Sequence, residues 1–177
     1  MILAGDVGGT NTRLAVFEAQ GTRLTIVVEE VFASREHPGL ESALRTFVSS
    51  HRLPIAQACF GVAGPVRNGR CDATNLPWVV DARLVARELG LPAAGLINDL
   101  EANAYGIAAL EPKDLVVINA GAPDAEGNQA IIAAGTGLGE AGLYWDGKTH
   151  RPFPTEGGHA TFAPRNDLEL ALLRHLL

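Results

Sequence analysis

Cysteine is scarce. Only Cys59 and Cys71 occur in 177 residues, with no CxxC pair and no His cluster to join them, which excludes a disulfide scaffold and a conventional zinc site. That usage fits a reducing cytosol, so the expected location is cytoplasmic. Basic residues are also few. With 14 Lys+Arg against 20 Asp+Glu, the formal charge is −6 and the pI about 5.3, and a nucleic-acid backbone would find no matching positive field. No apolar run approaches the roughly 20 residues that span a bilayer, and Met1 to Gly5 lacks the basic start and long apolar region of a signal peptide. The composition points to no nucleic-acid partner and no membrane. Two nucleotide-binding signatures are missing as well: no G-x-G-x-x-G opens a helix, and no glycine loop carries the Lys of G-x-x-x-x-G-K-[ST], which disfavours Rossmann and P-loop chemistry.

What is present is a globular sequence, 47% hydrophobic and 19% charged, enough for one core or for a compact domain plus part of a second. Met1 to Asp6, Arg13 to Ala19 and Leu24 to Val31 read as an antiparallel three-stranded meander, with Gln20-Gly21 as a turn. Leu40 to His51 has apolar residues at Leu40, Ala43, Leu44, Phe47 and Val48, one face of a helix. A strand over Gln57 to Ala63, a turn at Asn68-Gly69, an Asp81-capped helix closed by Gly90 and a short strand Ala94 to Ile97 follow. A helix over Leu100 to Ala109 completes the order β-β-β-α-β-α-β-α. From Leu115 the strand pattern begins again, with Leu115 to Ile118, Gln129 to Ala134, and a hairpin of Ala141 to Trp145 and Lys148 to Phe153 around Asp146-Gly147. Asp167 to Leu177 reads as a helix whose apolar face needs a partner and favours self-association into a homo-oligomer. Residues 1–110 thus form one nearly complete α/β unit, and 111–177 begin another.

The most informative stretch is Asp6-Val7-Gly8-Gly9-Thr10-Asn11-Thr12-Arg13. Glycines let a backbone approach an anion, consecutive amides can point at phosphate oxygens, and the upstream acid suits a hydrated magnesium ion. An ordinary Gly-rich hairpin is the alternative, and the combination of Asp, two Gly, Thr and Asn between strands weighs against it. Gly135-Thr136-Gly137-Leu138-Gly139 is a second loop of this kind. Asn98-Asp99 stands where a strand ends and a helix starts; Asp99 is either an N-cap or a carboxylate placed to receive a hydroxyl proton. Glu156-Gly157-Gly158-His159 suits hydrogen bonding to sugar hydroxyls, or is a polar surface loop. Asn75 beside Trp78 is compatible with a carbohydrate site, although Trp78 equally fills a core.

Taken together and in order, Asp6 to Arg13, Gly64-Pro65 followed by Thr74-Asn75-Leu76-Pro77-Trp78, Leu96 to Asn103, Gly135 to Gly139 and Glu156 to His159 resemble the bacterial glucokinases. The resemblance implies an α/β, actin-like (ribonuclease-H-like) ATPase fold, with a small lobe at 1–110 carrying the first phosphate loop and the catalytic Asp, and an incomplete large lobe at 111–177. It implies D-glucose, ATP and Mg2+ as ligands, and transfer of the γ-phosphoryl group to the sugar 6-hydroxyl. Residue by residue, it implies Asp99 as general base, Asn75, Asn98, Glu156 and His159 on the sugar, and Gly8, Gly9, Thr10, Asn11, Thr136 and Gly137 on the phosphates. Asp6 would hold magnesium through water. Family members continue for about as many residues again, so catalysis is expected to need that further half. A non-catalytic sugar-binding fragment and a kinase for another hexose or an amino sugar are the competing readings; no Cys-rich zinc loop follows His159, as the repressor-related sugar kinases usually have.

Overall fold

Alternation builds the first strand. In β1 (Ile2–Val7), Leu3 and Val7 point into the core while Asp6 is exposed, the period-two pattern of a strand with one buried face. The computed structural model describes the whole chain except Thr22, Thr74, Pro123 and Thr136, so the expected roles of Thr136 and Thr74 lie outside the described residues. β2 (Asn11–Gln20) and β3 (Arg23–Ala33) continue from β1 as antiparallel neighbours, the meander expected. α1 (Leu40–His51) buries Leu40, Ala43, Leu44 and Phe47 along one stripe and ends at Arg52 in the left-handed conformation, φ 50°. β4 (Gln57–Val62) then pairs in parallel with β1, burying Ala58, Phe60 and Val62.

The next elements depart from the sequence reading. β5 (Arg70–Asp72) and β6 (Val79–Asp81) form a separate antiparallel pair that was not expected, because three-residue strands are too short to show a period. The turn before β5 does match: Asn68 and Gly69 have φ of 52° and 72°, as a two-residue hairpin turn demands. α2 (Ala82–Leu89) is capped by Asp81, whose carboxylate accepts the Arg83 amide at 2.8 Å, and closes on Gly90 at φ 66°. β7 (Gly95–Asn98) lies parallel to β4 and completes a five-stranded sheet of order β3-β2-β1-β4-β7. α3 (Asp99–Gly106) is shorter than expected, with Ile107–Ala109 tightening into a 3-10 turn.

Leu115 to Ile118 does not form the expected strand. Val116, Val117 and Ile118 are 88%, 78% and 97% exposed, and among the described residues no segment runs beside them to complete a ladder. Composition can propose a strand, but only a paired neighbour satisfies its amides and carbonyls. β8 (Gln129–Ala134), β9 (Leu138–Trp145) and β10 (His150–Thr155) form a second antiparallel meander. β10 starts two residues later than read because the Asp146 carboxylate accepts the Lys148 and Thr149 amides and holds both in the turn. α4 (Asp167–Leu176), capped by Asn166, buries none of its side chains.

One large apolar cluster joins the first sheet to α1 and α2, with Leu3, Leu14, Phe47, Phe60 and Val85 almost wholly buried. A second, much smaller cluster sits between α3 and the second sheet, where Ala104 meets Ala141 and Leu143 with Leu100 and Ile131 at its rim. α3 therefore packs on both sheets and fixes what its N-terminus can face.

Candidate active site

Parallel strands place their carboxyl ends together, and here that edge collects the candidate chemistry. β1, β4 and β7 run in register, Val7 beside Val62 beside Asn98, so the loops after Val7 and Asn98 leave from one side of the sheet. Two strand spacings separate them, about 9–10 Å between backbones. Gly61 lies between: a Cβ there would come within 3.0 Å of Ala102 and 3.6 Å of the Asp99 Cα, so its lack of side chain lets α3 start close against the sheet.

The loop after β1 is held from inside. The Gly8 amide donates to the Asn11 carbonyl at 3.0 Å, the Ser34 hydroxyl donates to the Gly8 carbonyl at 2.8 Å, and the Ser34 amide donates to the Thr10 carbonyl at 2.9 Å. The Thr12 and Ser34 hydroxyls are 2.9 Å apart, and both residues are completely buried. The Gly8 and Thr10 carbonyls are thereby occupied, whereas the amides of Gly9 and Thr10 meet no acceptor among the described residues. Two successive unsatisfied amides form a cradle for an anion. Gly9 also touches the loop between β5 and β6: a Cβ on it would lie 2.6 Å from the Asn75 Cβ. Trp78, at the end of that loop, is a core residue that donates its indole N–H to the His37 carbonyl at 3.1 Å.

Asn98, not Asp99, caps α3. Its Oδ1 accepts the Leu100 amide at 3.0 Å and the Glu101 amide at 3.3 Å, and its Nδ2 donates to the Gly64 carbonyl at 3.1 Å. One N–H of Asn98 remains for anything else. Asp99 is the first residue of the helix, with Oδ1 accepting the Leu100 amide at 2.9 Å. Burial pushes the Asp99 carboxyl above the usual range, the Leu100 amide partly opposes this, and the negative charge of Asp6 raises it further. A raised carboxyl is a better proton acceptor than an ordinary aspartate.

The second glycine loop meets α3 through Gly139, where a Cβ would fall 2.8 Å from Leu100 Cδ2. Its Gly135 amide donates to the Gly137 carbonyl at 2.9 Å. Gly158 in turn abuts β9, since a Cβ there would collide with the Leu138 carbonyl oxygen. The segment carrying Glu156 and His159 is thus tied to the start of β9, and β9 to the residue after Asp99. Glu156 and His159 are mostly exposed and stand 3.8 Å apart, carboxylate to Nε2. No hydrogen bond or ion pair joins them to Asn98 or Asp99 among the described residues. Asp6, whose charge is felt by Asp99, is an exposed carboxylate, an oxygen donor suited to a hard, hydrated cation. No group of three or more His, Cys, Asp or Glu able to hold a metal occurs among the described residues.

Sequence reasoning missed Ser34. Its only signal is a small hydroxyl at the end of β3, and 26 residues separate it from the carbonyl it holds.

Comparison with known proteins follows the same order of residues. A family model described as Glucokinase matches residues 3–177. A glucokinase from Nostoc sp. (strain PCC 7120) is 43% identical over 180 residues, covering 100% of this chain and 53% of that protein. The crystal structure of a glucokinase from an Antarctic psychrotroph superposes with a TM-score of 0.83 at 33% identity, over 99% of this chain and 56% of the other. A glucokinase from Balamuthia mandrillaris, solved in complex with glucose, gives 0.70 at 25% identity, over 98% and 53%. The chain spans about half the length of the relatives it matches. These neighbours place the α/β architecture in the actin-like ATPase fold.

Proposed function

The chain belongs to the glucokinase family, and from that premise we propose that it contributes the base and the first phosphate loop for transfer of the ATP γ-phosphoryl group to the 6-hydroxyl of D-glucose in the cytoplasm. The observation that carries this reading is the pairing of a half-buried Asp99, its carboxyl raised by burial, with an anion cradle at Gly9-Thr10, both at the carboxyl ends of the parallel strands β1, β4 and β7. Residues 1–110 act as the small lobe and 111–177 as the beginning of the large one.

In this mechanism Asp99 accepts a hydrogen bond from the attacking hydroxyl, orients it, and takes its proton as the oxygen bonds to phosphorus. Asn98 holds the start of α3 and offers its remaining N–H to a neighbouring hydroxyl. Asn75, Glu156 and His159 bind the other hydroxyls, and the Gly157-Gly158 backbone brings the last two close to β9. Gly8, Gly9, Thr10 and Asn11 cradle the terminal phosphates, with Thr136 and Gly137 on the second loop. The bond from the γ-phosphorus of the ATP substrate to its β-phosphate oxygen breaks as the sugar oxygen bonds, with ADP as leaving group; a magnesium ion, when bound, would neutralise charge on the phosphates, and Asp6 would orient it through water.

The test is a pair of measurements on the 177-residue chain. Calorimetric titration with D-glucose, with galactose as control, should show selective binding that Glu156→Gln weakens. Glucose-dependent ADP formation, in this chain or in a version extended to the length of its relatives, should fall at least ~10³-fold in Asp99→Asn with glucose affinity retained. Equal binding of galactose would refute the sugar assignment, and undiminished turnover in Asp99→Asn would remove that residue from the base role.

A further inference from the structure

The loop that binds phosphate in the proposed function has ordinary sequence-local supports, yet its conformation rests on Ser34, the first residue of the 3-10 turn that follows β3. Ser34 engages the loop twice. Its backbone N–H takes the Thr10 carbonyl at 2.9 Å and its hydroxyl takes the Gly8 carbonyl at 2.8 Å. Each peptide unit has its carbonyl and amide on opposite sides, so turning the Gly8 carbonyl toward Ser34 turns the following Gly9 amide away from it. The same holds for the Thr10 carbonyl and the Asn11 amide. The inward carbonyls are satisfied inside the protein, and the Gly9 amide, like that of Thr10 beside it, meets no acceptor among the described residues and is left for an external one. Thr12 completes the arrangement: its hydroxyl lies 2.9 Å from that of Ser34, both residues are fully buried, and no buried side-chain polar atom among the described residues lacks a partner.

We infer that Ser34 is a positioning residue that sets the phosphate loop in its anion-accepting conformation, resting on the reading of that loop given above. It touches neither phosphate nor sugar. Its effect is preorganisation: the loop does not have to pay the cost of turning two carbonyls inward when an anion arrives. Thr12, by contrast, shares a buried hydrogen bond with the Ser34 hydroxyl that stabilises the fold, and it makes no contact with the loop carbonyl itself.

Inorganic tripolyphosphate with magnesium is the probe, followed by the amide NMR shifts of Gly9 and Thr10 in the 177-residue chain. The unaltered chain should show saturable shifts at both amides. Ser34→Ala should weaken the fitted affinity about tenfold, and Ser34→Cys, with a weaker donor of similar shape, about threefold. Thr12→Val should lower the melting temperature as Ser34→Ala does but leave the affinity within twofold, a separation that a purely structural role for Ser34 would not produce. If Ser34→Ala does not fold, Ser34→Cys carries the comparison. Affinity unchanged in the Ser34 variants, or lost equally in Thr12→Val, overturns the positioning role while leaving the loop assignment standing. No shift at Gly9 or Thr10 in the unaltered chain overturns both.

Discussion

The two larger sheets of this molecule follow the same recipe and end in different states. Each begins as an antiparallel meander, and each includes a glycine loop on which a phosphate role was read. The first is covered by α1 and α2 and has a continuous core from Leu3 to Leu96. The second has Ala141 and Leu143 as its buried members, and its helix α4 leaves Leu168 and Leu176 81% and 68% exposed. Strand pairing alone, then, does not make a core; a sheet becomes stable when a second layer removes one of its faces from water. Stability in this chain should be concentrated in the first sheet and modest in the second.

Matched truncations give the widest separation. Phe47→Ala, in the fully buried stripe of α1, should cost about 3–5 kcal/mol in urea unfolding, whereas Leu172→Ala on α4 should change stability by less than about 0.5 kcal/mol. Similar values would mean that the second region is covered in solution. The next contrast uses glycines. Gly9→Ala drives a methyl into Asn75 and should cost about 1–3 kcal/mol, and Gly106→Ala, with nothing within 4 Å and helical backbone, should stabilise by about 0.5–1 kcal/mol.

Acid titration sharpens the comparison further. The Asp99 carboxyl is raised in the folded state, so the native protein binds that proton more tightly than the unfolded chain does. Charging it is a penalty at neutral pH, relieved as pH falls through the folded value towards the ordinary carboxylate range. Asp99→Asn should therefore raise the melting temperature at pH 7, and the gain should vanish below about pH 4. A lower melting temperature at pH 7 would show that the carboxylate is not strained where it sits. The smallest expected effects are common to both regions. Hydrogen bonds from Arg83 hold Asp81 down to about 2, and the Thr149 amide with Arg151 holds Asp146 there as well. Each contributes stability above the unfolded value that is lost as pH drops towards 2. Replacing either with Asn should flatten the acid limb of the pH-stability curve slightly, and to a similar degree at the two positions.

Much of this was readable in the residues because it depends on neighbours in sequence. Leu40, Ala43, Leu44 and Phe47 announce α1 by spacing, Asp81 and Gly90 bracket α2, and Asn68-Gly69 makes its own turn. What escaped depends on residues far apart in the chain. Val116 to Ile118 has the composition of a strand, and no local pattern tells whether a neighbour will pair with it. Asn98 and Asp99 are both reasonable caps on paper; the Gly64 carbonyl, 34 residues away, holds Asn98 in that task and frees Asp99 from it. Asp6, the glycine loops and Asp99 were legible as candidates because anion and proton chemistry restrict residue type. Ser34 was not, since a serine becomes informative only when its acceptor is known.

The contact between Gly9 and Asn75 carries a thermodynamic consequence. These two loops share a boundary with no slack, so displacing one displaces the other. An anion that shifts the first loop changes the free energy of the second by a fixed amount, and linkage requires that a ligand held by Asn75 return the same amount to the anion. Were both loops to hold ligands as proposed, occupancy at either would be a reciprocal effector of occupancy at its neighbour, with the sign set by whether the two bound conformations are compatible across that contact.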